Sequence, residues 1–147
     1  MSHIRKSSPT TAQVAVANLV AKLSRMPRIG DYGIDAAKTV MALRLVALCS
    51  KSGHDPMAEL TKRLNDVGAA KNMLALLDRC GALWPEAVHV HRPCCAELSP
   101  DETIIAGMAQ AASDGDHRAF DKVLDGFIPA AQREGLFAEA LMVMETL

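Results

Sequence analysis

Apolar side chains recur at helical spacing along most of the 147-residue chain. The first such stripe predicts a helix from Thr10 or Thr11 to about Met26, because apolar residues three and four positions apart share one helical face. That face would consist of Val16, Leu19, Val20 and Leu23. Pro27 and Gly30 then end the helix.

The stretch from Ile34 to about Ser50 predicts a second helix that is apolar on nearly every side. Between Val40 and Cys49 the only charged side chain is Arg44. Because such a helix is typically buried, we expect it to be the central element of the fold. A guanidinium inside the protein needs hydrogen-bond acceptors, so we expect Arg44 to have a carboxylate or carbonyl partner.

Capping residues and glycines delimit the helices that follow. Asp55 caps a third helix, Gly68 separates it from a fourth, and Gly81 terminates the fourth. A fifth helix is predicted to start at Ser99, whose hydroxyl caps it while Glu102 reaches back to the Ser99 backbone. This capping box is the clearest local signal in the sequence.

The last part of the chain predicts two more helices. Gly115 and Asp116 break and recap the chain before a sixth helix, and Pro129 opens the final one, which Gly135 could kink or split. Composition agrees with a helical protein, since aromatic residues are only 3% of the chain and Ala, Leu and Met are common.

These patterns predict an all-α fold, an antiparallel bundle of six to seven helices with an extended segment around 85–97. The length fits a single domain over residues 1–147, with residues 1–9 disordered. Within the extended segment, apolar and polar residues alternate from Ala87 to His91 like a short strand. That strand would pair with its own copy across a twofold axis, or lie extended over the helices.

Charge is distributed unevenly, although the net charge is −1 and gives no reason to expect nucleic-acid binding. Residues 1–28 carry five basic and no acidic side chains, whereas residues 97–147 carry ten acidic and three basic ones. We expect the first helix to pack near the acidic C-terminal half, within the chain or across a homodimer. No apolar run is long enough for a membrane span, and the absence of an export signal predicts a cytoplasmic protein with reduced thiols.

The segment from His89 to Cys95 concentrates the chemistry of the chain. It carries two imidazoles, His89 and His91, and two adjacent thiols, Cys94 and Cys95, beside Arg92. Zinc favours such ligands and often uses the two-residue spacing seen between His91 and Cys94. Neighbouring side chains usually diverge, however, and the chain has no second half-site, so we expect no cofactor, with zinc as the alternative.

Two further interpretations of this segment stay open. Nearby positive charge favours a reactive thiolate, so Cys94 and Cys95 could sense redox state or a ligand. Structurally, the two cysteines could instead fill a groove as small apolar groups, as we expect Cys49 and Cys80 to do in the core. We favour the structural interpretation.

The polar residues Arg44, Arg92 and Glu97 are candidates for the lining of a shallow pocket under the extended segment. An enzyme using that pocket, with Asp101 also assisting, is an alternative, but no catalytic or nucleotide-binding motif is present. We therefore predict a non-enzymatic binding, regulatory or interaction module that forms a homodimer and has an unidentified protein partner.

The run Pro93-Cys94-Cys95, followed by Leu98-Ser99-Pro100-Asp101-Glu102, resembles a pattern in small uncharacterised helical proteins of bacteria. In those proteins a Pro-Cys-Cys element leads into a similar helix start, and the similarity covers roughly residues 31–147. The relatives often have a third cysteine where this chain has Ala96, so no three-thiolate site is implied here. The resemblance implies a bacterial cytosolic protein and carries no activity.

Overall fold

The structure, a computed structural model, describes residues 10–24 and 26–147, with side chains for 10–17 and 26–147. In this part of the chain there are seven α-helices, a 3₁₀ helix at Ile29–Asp31 and no strand, so the predicted all-α fold class is confirmed. The α-helices are α1 Thr11–Ser24, α2 Ile34–Ser52, α3 Pro56–Leu64, α4 Val67–Leu83, α5 Pro100–Ser113, α6 His117–Leu124 and α7 Ala130–Thr146.

The core lies where α2, α4, α5 and α7 meet. Helix α5 packs on α2, α6 and α7, while α4 packs on α3 and α7. Phe120 of α6 is fully buried and lies edge-on to Phe137 of α7, with 4.9 Å between ring centroids. The other large, fully buried apolar side chains include Leu60, Met73, Leu76, Ile105, Met108, Leu124 and Leu136.

Two predicted helix boundaries are wrong. Gly68 lies in the first turn of α4, because the Asp66 carboxylate caps this helix by accepting from the Gly68 and Ala69 amides. The break comes earlier, at Asn65, which takes the left-handed φ of 57°. Gly81 lies inside α4, which continues to Leu83 and ends at Trp84.

The ends of the chain also differ from expectation. Helix α7 runs without a break through Gly135. In α1, the described side chains 10–17 are all exposed, including Val16, which is 60% exposed. Val16 is therefore not buried within a single copy, and packing of this stripe across a homodimer stays a prediction. Leu19, Val20 and Leu23 lie outside the described side chains. The predicted disorder of residues 1–9 also lies outside the described range.

The predicted helix caps are confirmed. Ser99 Oγ accepts from the Glu102 amide at 3.1 Å, and the Glu102 carboxylate accepts from the Ser99 amide at 2.9 Å. Asp55 and Asp116 cap α3 and α6 with their carboxylates, which accept from the amides of Met57 and Ala119. These caps fix where each helix begins and therefore how the connections enter the bundle.

We expect Ser99→Ala to lower the free energy of unfolding by about 1–2 kcal/mol. The hydroxyl caps α5 and also donates to the carbonyl oxygen of His89 at 2.6 Å, so its loss leaves two backbone groups unsatisfied. Urea denaturation measures the change. Ser52→Ala is the matched control, because its exposed hydroxyl only bonds the carbonyl of Leu48 one turn back, and a Ser99→Ala loss no larger than this control would contradict the prediction.

Across the residues that the structure describes, none of the helices is long and apolar enough to cross a membrane.

Candidate functional site

A buried ion pair joins the central helices α2 and α5. Arg44 Nε lies 2.6 Å from Glu102 Oε2, and one terminal guanidinium nitrogen lies 3.0 Å from Glu102 Oε1. Both side chains are almost completely buried, at 1% and 0% exposure. The predicted carboxylate partner of Arg44 therefore exists, and the two-point geometry is the strongest form of such a pair.

The Glu102 carboxylate is saturated by donors. Besides Arg44, it accepts from the backbone amides of Ser99 and His91, at 2.9 and 3.3 Å. Burial alone would raise the pKa of Glu102, but the hydrogen bonds from Arg44 and Ser99 outweigh burial and hold the pKa below its ordinary value. The carboxylate is therefore charged at neutral pH. From the sequence alone, only the helix-capping role of Glu102 was predicted.

Arg44 also holds the connector, the segment 85–99 that links α4 to α5. Two further guanidinium N–H groups donate to the carbonyl oxygens of Cys95 and Glu97, the latter at 2.9 Å. All four acceptors of Arg44 are thus internal to the protein, and its guanidinium has a structural role in fixing the connector.

Other contacts anchor the two ends of the connector. Asp101 accepts from the indole N–H of Trp84 at 3.1 Å and from the His89 amide at 2.7 Å. Near the other end, Arg28 and Glu97 form an isolated antiparallel bridge. The connector is therefore extended as predicted. Within the described chain, Glu97 of the connector pairs with Arg28 of the segment after α1, and pairing of the alternating residues 87–91 with a second copy stays a prediction.

The imidazoles and thiols are brought together only in part. His91 Nδ1 lies 2.9 Å from the carbonyl oxygen of Glu97 and 3.7 Å from Cys95 Sγ. The rings of His89 and His91 meet edge to face, with centroids 5.8 Å apart. Cys94 is exposed, whereas Cys95 is half-buried. The close contact is therefore between one imidazole and one thiol.

Among the described residues, no three His, Cys, Asp or Glu side chains are grouped so as to hold a metal ion. The zinc alternative thus has at most a two-ligand set to start from among the described residues. Arg92 and Glu97 are exposed at the surface, whereas the Arg44 side chain is buried.

The other two cysteines are core residues, as predicted. Cys49 and Cys80 are buried, and Cys80 Sγ lies 3.9 Å from the sulfur of Met108. Burial, with a smaller contribution from the nearby Glu139 carboxylate, raises the pKa of Cys80 to about 12. This thiol is therefore protonated at neutral pH and chemically inert.

An apolar groove lies between α2 and α3, with a cavity volume of about 350 Å³. This volume is at the lower end of small-molecule sites. Its apolar lining is Ile34, Ala37, Met41, Ala42, Leu45, Leu48, Leu60, Leu64 and Pro93. The groove corrects our expectation that α2 is buried on all sides, because Ile34 and Leu48 are 71% and 47% exposed. The apolar residues of α2 therefore form two surfaces. One packs in the core, and the other lines the open groove.

Two cations complete the groove, Lys38 on α2 and Arg63 on α3. Within the described part of the chain, neither has an ion-pair or hydrogen-bond partner. The groove also reaches the connector, because Pro93 forms part of its wall. Lys38, Arg63 and the groove were not among the features predicted from the sequence. The one signal was that the face Ile34, Ala37, Met41, Leu45 and Leu48 repeats at helical spacing opposite the residues that face α5.

The arrangement can therefore bind an apolar group beside two positive charges, next to a connector that carries a thiol–imidazole contact. Comparisons with protein-family models, with curated proteins and with solved structures found no match for this chain.

Proposed function

We propose that this protein is a binding module whose α2–α3 groove holds an anionic amphiphile. The apolar part of the ligand would lie along α2, and its acidic group would lie between Lys38 and Arg63. The observation that carries this proposal is an open apolar groove whose only charged lining residues are two cations, neither of which has a partner among the residues that the structure describes.

The apolar wall supplies the affinity. Ile34 and Leu48 expose large aliphatic side chains to solvent at the two ends of the groove. Covering apolar surface is favourable by roughly 25 cal/mol per Å², so a ligand that covers both residues gains binding free energy from them. An exposed apolar surface of this kind, bordered by polar groups, is typical of a binding site.

The two cations supply the selectivity. An uncharged apolar ligand would leave Lys38 and Arg63 unpaired, and a cationic ligand would be repelled. A carboxylate or sulfonate head group complements both charges. The ligand class that fits best is thus a single-chain organic acid with an aliphatic body.

We expect dodecanoate to bind in the groove and dodecyltrimethylammonium to bind at least about tenfold more weakly, because only the former complements the two cations. Titration calorimetry, with both amphiphiles below the concentrations at which they form micelles, measures the difference. Replacing both cations, in K38Q/R63Q, should remove most of the preference. Equal affinities for the two amphiphiles would contradict the proposal.

Met41→Glu places a carboxylate in the middle of the groove and should weaken dodecanoate binding by about tenfold or more. The matched control is Met142→Glu, because Met142 is a solvent-exposed helical methionine outside the groove. If both variants bind dodecanoate as well as the native protein, the groove is not the binding site.

We further propose that the protein is a homodimeric, non-enzymatic module of the bacterial cytoplasm. The support is that all four cysteines are free thiols, as a reducing compartment requires, and that Val67 and Met142 are exposed apolar residues available to a second copy or another protein.

A further inference from the structure

The adjacent thiols Cys94 and Cys95 lie where the connector turns. The Cys95 amide donates to the carbonyl oxygen of Arg92 at 3.0 Å, which closes a turn with Pro93 and Cys94 at its centre. Cys94 is exposed at this turn, and Cys95 is half-buried beneath it. The pair therefore consists of the solvent-exposed Cys94 thiol and the half-buried Cys95 thiol, whose position is fixed by neighbouring residues.

His91 positions the second thiol. Its Nδ1 lies 2.9 Å from the carbonyl oxygen of Glu97, which can only accept, so we assign the ring hydrogen to Nδ1. The same nitrogen lies 3.7 Å from Cys95 Sγ, within hydrogen-bonding range for sulfur. A Cys95 thiolate would therefore share the Nδ1 hydrogen with the Glu97 carbonyl oxygen in a three-centre hydrogen bond.

We propose that Cys94 and Cys95 form a reactive dithiol that low-molecular-weight disulfides oxidise to a vicinal disulfide. The Cys94 thiolate attacks one sulfur of the small disulfide RSSR, forms a mixed disulfide and expels RS⁻. The Cys95 thiolate then attacks the Cys94 sulfur and expels a second RS⁻. The two cysteine protons end on these leaving groups, so two RSH form, and the electrons lost by the cysteines reduce RSSR.

Oxidation has a structural consequence. The disulfide closes a small ring that constrains the peptide unit between the two cysteines, whereas in the reduced protein Arg44 holds the Cys95 carbonyl. The preceding residue, Pro93, is part of the groove wall. Ring closure is therefore expected to change both the hydrogen bond from Arg44 to the Cys95 carbonyl and the groove wall at Pro93.

The experiment incubates the reduced full chain with excess oxidised glutathione and maps the thiols by alkylation, proteolysis and mass spectrometry. We expect a disulfide between Cys94 and Cys95 that forms at least about tenfold faster than any modification of the buried Cys49 and Cys80. Cys95→Ser cannot close the ring and should retain glutathione on Cys94. Absence of the Cys94–Cys95 disulfide, or its formation no faster than modification of the buried thiols, would overturn the proposal.

A matched pair of variants tests the positioning role of His91. His91→Asn keeps a side-chain N–H donor, whereas His91→Leu removes it, and circular dichroism checks that both fold. We expect ring closure to slow by about tenfold in His91→Leu and less in His91→Asn. Equal rates in the two variants would refute the role of the imidazole. The double variant C94S/C95S keeps the groove residues, so its amphiphile titration tests the proposed function separately.

Discussion

Arg44→Met is expected to lower the free energy of unfolding by about 3–5 kcal/mol, a large fraction of the total for a domain of this size. The substitution leaves the Glu102 carboxylate in the core without its counter-charge. It also removes the donors that hold the carbonyl oxygens of Cys95 and Glu97. Chemical denaturation followed by circular dichroism measures the loss.

The double variant R44M/E102Q separates the charge effect from the shape effect. Glutamine is neutral but keeps a carbonyl oxygen for the Ser99 amide, so this variant retains the cap while removing both charges. Because each single variant leaves one buried charge unpaired, the double variant should lose at least about 1 kcal/mol less than the sum of the two single losses.

An exposed ion pair provides the control. Arg79 lies 3.2 Å from Glu139, but these side chains are 43% and 33% exposed, so Arg79→Met should cost less than about 1 kcal/mol. An Arg44→Met loss as small as that of Arg79→Met would show that the α2–α5 ion pair does not hold the connector.

Glu102→Gln should destabilise the protein by about 3 kcal/mol at neutral pH and flatten the dependence of its stability on acid pH. Hydrogen bonds hold the pKa of Glu102 in the folded protein below its ordinary value of 4.5. A carboxyl with a depressed pKa in the folded state stabilises the protein above the unfolded-state pKa. That contribution is lost as the pH falls through the folded-state value.

The difference in stability between native protein and Glu102→Gln should therefore be constant above about pH 5 and shrink as the pH falls below 4.5. Urea denaturation at a series of pH values measures both proteins, and the comparison cancels the titration of groups that they share. A difference that stays constant down to the lowest pH at which both fold would contradict the charged state of Glu102.

Local sequence signals predicted most helix starts correctly. The helix boundary that was wrongly predicted at Gly81 depends on tertiary contacts, which local signals do not contain. The Ser99–Glu102 capping box and the Asp55 cap depend on residues within one helical turn, and the structure confirms both. Gly81 was expected to end α4, but the helix continues to Leu83, because Leu83 and Trp84 after the glycine pack against the core and outweigh the low helix propensity of one glycine.

In the candidate site, too, local sequence signals predicted the individual groups, and tertiary contacts decided which of them meet. The sequence indicated that Arg44 needs a partner, that the connector is extended and that its imidazoles and thiols are candidates for metal or redox chemistry, although a structural role of the cysteines was favoured. It did not identify Glu102 as that partner, since 58 residues separate the two and no local pattern encodes the pairing. Nor did it separate the His91–Cys95 contact from the exposed Cys94.

The amino-acid sequence by itself determined the all-α class, the helix caps and the burial of Cys49 and Cys80, because spacing along a helix and capping act over a few residues. Only the tertiary structure decided that α2 has an open face, that Pro93 meets Lys38 and Arg63 around a groove, and that Arg44 and Glu102 fix the connector. Those features depend on which helices pack together, and packing joins residues that are distant in the chain.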